Sequence, residues 1–216
     1  MSRASSHSGP RYPVMKAAST EISGYSFGAS SVPISRVSVA DLEEIKTTAG
    51  FTSEDEVHLR LAGEILGGQA TAIVEHWRNQ IIARNPNLAR HSRTPEGTLL
   101  PQYLQASNRR FEQWVVDTCM RPYDQDWINY QQEIAARHMI SKKNVTDHVR
   151  STSHVPFRHI VAFVAVMNQT IRPYLAATGQ AGEVVERMHQ AWCKSMQIQI
   201  ALWAKAYADT RETDQW

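Results

Sequence analysis

The chain of 216 residues is poor in cysteine: Cys119 and Cys193 are its only thiols, and neither sits in a CxxC context. That argues against structural zinc, iron–sulfur ligation and thioether-linked cofactors, all of which need thiolates at short spacings. Buried free thiols in a reducing, cytoplasmic setting are the expectation. Long apolar runs are also missing. The longest, Ile160 to Met167, is far below the roughly 20 residues of a membrane span, so no membrane partner is expected. A net charge of +2 leaves no case for a nucleic-acid surface. No HExxH pair, nucleophile elbow, GxGxxG or GxxxxGK[ST] loop occurs, which weakens hydrolase and nucleotide-binding readings. Alternation of period two is absent too, so strands are not expected.

What is present is ordinary globular composition, 42% hydrophobic and 20% charged, in a chain long enough to bury about 70% of its unfolded surface as one domain. Residues 1–20 are rich in Ser and Arg and read as a flexible tail; residues 21–212 form the domain. From Ser38 onward the period is helical. Ser38 caps a helix over Val39 to Lys46, and Ser53 with Glu56 reads as a capping box opening a helix to about Leu66. A helix through Val74, Trp77 and Ile81 follows Gly67-Gly68 and ends at Asn85-Pro86. The next reaches about Met120, and Pro122 separates it from a helix carrying His138. After a polar connection over residues 141–155, two long helices run to about Ala177 and from about Gly182 to Thr210. The expected class is all-α, with about eight helices.

Of nine histidines, His138 has the most informative setting. Trp127, Gln131, Ile134 and His138 follow at spacings of four, three and four, one face of one helix. A neutral imidazole at the end of an apolar face suits a single axial ligand to iron, although the same stripe also suits plain core. His58 and His189 are expected in solvent, and His76 and His91 at the surface. Asp124 and Asp126 read as helix N-terminal charges rather than a carboxylate pair.

The segment Arg121-Pro-Tyr-Asp-Gln-Asp-Trp-Ile-Asn-Tyr-Gln-Gln-Glu-Ile-Ala-Ala-Arg-His138, followed by Lys142-Lys143-Asn144, resembles the proximal helix of the protoglobins, single-domain relatives of globin-coupled sensors. Ordered blocks agree: Ile22 to Gly28, Phe51 to Asp55, Ala62-Gly63-Glu64, Arg110 to Trp114, Val161 to Phe163, Gln190 to Trp192 and Ala201 to Trp203. The resemblance implies a globin fold with an additional N-terminal helix and lead-in segment. It also implies noncovalent haem b, with His138 as the proximal iron ligand and a pocket drawn from Trp77, Phe111, Val155, Phe157, Ile160 and Phe163. One position departs from the pattern: Arg78 stands where the family has a tyrosine. A guanidinium there can reach the ligand, meet a haem propionate or snorkel to solvent, and the last two are expected. Ser92 replaces a usual aromatic.

Three functions follow as expectations. The first is reversible binding of diatomic gases (O2, CO, NO) for gas binding or sensing. The second is a haem enzyme on the same site, with peroxidase-like, NO-dioxygenating or carbene-transfer chemistry. The third is a helical interaction module without a cofactor. A homodimer packed through the last two helices is expected, with signalling left to a separate partner.

Overall fold

A computed structural model describes residues 22–209. The expected tail, residues 1–20, lies outside them. Eight α-helices are described: α1 (Val39–Thr48), α2 (Ser53–Gly67), α3 (Ala70–Glu75), α4 (Pro86–Ala89), α5 (Pro101–Met120), α6 (Gln125–Ala136), α7 (Phe157–Ala176) and α8 (Gly182–Ala208). Between α3 and α4 the chain winds as a π-helix over His76–Ile82. No strand forms among the described residues; a lone bridge joins Arg93 and Leu99.

The helix starts follow from capping chemistry, with one correction. Thr52, not Ser53, caps α2. Asp55 closes the box by accepting from the Thr52 N–H at 2.8 Å. Both frames fit the sequence pattern, and a tertiary contact separates them: Lys194 on α8 donates to both Asp55 carboxylate oxygens, at 2.9 and 2.8 Å. That ion pair fixes Asp55 at the third helical position. Such a cap contributes about 1 kcal/mol. Asp124 caps α6 by accepting from Trp127 N–H at 3.0 Å, as the sequence suggests.

The core collects around α8, against which α2, α6 and α7 pack. Its inward face, Val185, Met188, Trp192, Met196 and Leu202, is almost wholly buried. A polar seam locks this helix in register. Gln199 accepts from Trp114 Nε1 at 2.9 Å, and Gln131 on α6 accepts from Trp203 Nε1 at 3.0 Å. Each indole N–H thus reaches an acceptor inside the core, which buried donors require. His189 is likewise not in solvent: its Nε2 meets the Asn168 carbonyl of α7 at 2.7 Å.

The lead-in before α1 is bound to the bundle. Tyr25 donates to Asp117 at 2.6 Å, and the rings of Tyr25 and Phe27 meet Tyr130 edge-on at 5.5 and 5.4 Å. Gly24 has φ +72°, and a Cβ there would stand 2.8 Å from an Arg110 nitrogen. Only glycine passes without strain at that approach.

Candidate functional site

A cavity of about 230 Å³ lies between the π-helix, α5, α6, the connection before α7, and α7 itself. One part of the wall is aromatic. Phe111 and Trp114 lie on it with tilted rings 5.5 Å apart between centroids, and Trp77 packs on Phe111 from behind at 5.1 Å. Another part is polar, with Tyr103, Lys143, Thr146 and Asp147.

His138 lines this space, but not as the last turn of a helix. α6 stops at Ala136, and His138 N–H bonds to the Ala135 carbonyl in a tighter turn. Two groups take over where the helix ends. The Ile134 carbonyl, which a continuing helix would give to the His138 N–H, meets His138 Nδ1 at 2.8 Å. The His138 carbonyl accepts from Val155 N–H at 2.7 Å. Below the turn, buried Glu133 accepts from Arg137 Nε at 2.9 Å and Lys142 Nζ at 2.6 Å. The imidazole is therefore held through Nδ1, and its backbone through the carbonyl.

A carbonyl can only accept, so Nδ1 carries the proton and Nε2 is the bare nitrogen. Burial pushes the His138 pKa down to about 4, the Ile134 bond opposes that, and the charges of Lys143, Arg78 and Arg137 reinforce it. The ring is neutral at pH 7. Nε2 makes no hydrogen bond among the described residues, and the ring faces the cavity.

Of the other sequence candidates, Arg78, Phe111, Val155, Ile160 and Phe163 line the cavity. Trp77 does not. It is fully buried one layer back and donates to Thr170 at 2.8 Å. Phe157 also lies off the wall, packed on Tyr207 with centroids 4.9 Å apart. The solvent reading of Arg78 is corrected: the side chain turns inward, its Nη2 donates to Ser107 Oγ at 2.6 Å, and its Nε is sealed from solvent. His91 is corrected as well. It is buried, joins the cavity wall with Ser92 and His159, and its carbonyl accepts from Lys143 Nζ at 3.1 Å.

The wall includes residues that sequence reading passed over, chiefly Tyr103, Ser107, Arg110, Lys143 and Asp147. Arg110 forms a two-pronged pair with Asp147, at 2.9 and 2.6 Å. Lys143 is buried, 4.7 Å from the Tyr103 ring centroid, and has no carboxylate partner among the described residues. The cavity is thus lined by apolar and cationic side chains and by three histidines, of which His138 has its Nδ1 bonded to a backbone carbonyl.

A family model described as Protoglobin matches residues 38–213. The chain belongs to the protoglobin family. The helical architecture of this protoglobin is accordingly a globin fold, and the family's members are haem-binding globins of the gas-binding kind. Among curated proteins none matches the chain. In this protoglobin the donor set fits the cofactor. A porphyrin presents a flat apolar face, two carboxylates and an iron needing an axial nitrogen. The aromatic part of the wall, the unpaired Lys143 and the bare Nε2 of His138 answer those needs in turn. No described helix is long and apolar enough to cross a membrane.

Proposed function

We propose that this protoglobin binds haem b noncovalently, with His138 as the axial iron ligand, and reversibly binds O2, CO or NO in the cytoplasm. The observation that carries this is the tautomer of His138: Nδ1 is committed to the Ile134 carbonyl, and a neutral, unshared Nε2 lines the cavity. An N–H-to-carbonyl bond behind a ligating imidazole fixes its orientation and raises its basicity as a donor. Haem, when bound, supplies an iron that coordinates diatomic gases. Among the described residues no three His, Cys, Asp or Glu side chains converge on one point. A lone donor suffices for an iron already held by four porphyrin nitrogens.

The remaining side chains have separate tasks. Phe111, Val155, Ile160 and Phe163 keep water from the cavity, which slows oxidation of a ferrous centre and limits ligand size. Trp77 stiffens that wall from behind by packing on Phe111 and, 6.5 Å away between centroids, on Phe163. Phe157 supports the end of the connection through Tyr207, whose hydroxyl donates to the Val155 carbonyl at 2.8 Å. Lys143, a wall cation without a carboxylate partner among the described residues, would hold a propionate.

Haemin added to the purified chain is expected to give an intense Soret band; no band would end the haem reading. His138→Ala should abolish axial ligation, with a changed ferrous spectrum that added imidazole restores. An unaltered five-coordinate spectrum in that variant would overturn the ligand assignment. A second reading, a haem enzyme, draws support from the inward guanidinium of Arg78, since a fixed cation polarises a peroxide. Peroxide turnover well above that of free haemin would favour it.

A further inference from the structure

Arg78 is the one guanidinium on the cavity wall without an anionic partner among the described residues. Arg110 is held by Asp147 and Arg137 by Glu133. Arg78 has only the Ser107 hydroxyl, which accepts one N–H and neutralises nothing. Its Nε has no partner and no solvent. Its guanidinium carbon lies 5.4 Å from the Phe111 ring centroid, an attraction that offsets only part of a buried charge. Burial acts against the charged form, Tyr103 favours it and Arg110 opposes it, yet a guanidinium does not deprotonate in a protein. A partly buried charge without a counter-charge is unfavourable, and a ligand that supplies the counter-charge is favoured there.

We propose that Arg78 makes the cavity a receptor for a small monovalent inorganic anion of the nitrite or azide class, with Ser107 holding the guanidinium in place. One uncompensated charge calls for one negative charge. The planar donors of the fork match an acceptor with two electronegative ends. Phe111, beside the guanidinium, and the apolar wall bound the space and keep the ligand small. Lys143, beside Tyr103, is the unpaired cation better set for a propionate. The inference rests on the haem reading for its optical test and extends it to charged ligands.

The test titrates sodium azide and sodium nitrite into the ferric, haem-loaded full chain by visible absorbance, with CO on the ferrous protein as the neutral control. Arg78→Gln should weaken both anions by about tenfold or more, as expected for loss of a charge-assisted hydrogen bond, and change CO affinity less than about threefold. Arg78→Lys, which keeps the charge, should fall between. Three results would overturn the proposal. Anion affinities could be unchanged in Arg78→Gln. CO affinity could fall in step with them, the mark of a disturbed pocket. Haem transfer to an apoglobin acceptor could accelerate with anion binding intact, the mark of a propionate anchor. If the chain takes up no haem, the haem reading fails separately, and nitrite calorimetry on the haem-free chain with the same variants decides. Heat lost in Arg78→Gln supports the anion site; no heat in the parent removes it.

Discussion

His91 is a second histidine on the cavity wall and is buried, and on the proposed reading its contribution is to stability rather than ligation. Its Nδ1 meets Thr152 Oγ1 at 2.7 Å, while its Nε2 is buried without a partner. Burial, with Lys143 and Arg90 adding, pushes its pKa down to about 3. In the unfolded chain it would titrate near about 6.5. The unfolded state therefore binds the extra proton between those values, and stability rises with pH there. The contribution is complete above about pH 6.5 and is lost as pH falls toward about 3, by up to about 1.4 kcal/mol per pH unit. Denaturant melts from pH 7 to 4 should show this slope, and His91→Gln should flatten it by close to one proton. A slope identical in the two proteins would mean that His91 is protonated in the folded state.

Helices were the legible elements, because their period shows in the residues of each one alone. Of the stripe from Trp127 to His138, the residues to Ile134 lie on α6, while His138 sits in the turn past its end, and the two halves serve different ends. Trp127 and Gln131 are core, and Ile134 and His138 line the cavity. What the order of residues withholds is convergence between elements. Arg78 and Ser107 are 29 positions apart, and Arg110 and Asp147 are 37; no spacing rule joins them. Helix contacts were hidden for the same reason. Gly63 on α2 faces α5 so closely that a Cβ would stand 2.7 Å from Cys119 Cβ and 2.5 Å from Met120 Sδ. Gly63→Ala gains up to about 1 kcal/mol of helix propensity but overpacks that crossing by about 1–3 kcal/mol. Urea melts should show net destabilisation, and a more stable variant would mean that α2 and α5 separate at little cost.

For the whole molecule, the large apolar residues of the last helix turn inward. Val185, Met188, Trp192, Met196, Leu202 and Trp203 are buried within one protomer, so they offer no face to a second copy. The homodimer is proposed from family resemblance alone. Multi-angle light scattering should return about twice the protomer mass, and a steady 24.4 kDa across micromolar concentrations would overturn it.

The lead-in segment bears on the order of assembly. Ser26 accepts from Arg137 Nη2 at 2.9 Å, and the Ser23 carbonyl accepts from Arg110 Nη1 at 2.8 Å. Both arginines belong to the cavity wall. The earliest described residues are therefore latched to cavity-wall residues on α5 and just past the end of α6. On the proposed reading, a chain emerging from synthesis has its latch ready long before the wall exists. The seat is completed only when α6 and the connection before α7 arrive to meet it. Cofactor capture then becomes a late step, and the lead-in is the part that must yield when the cofactor leaves.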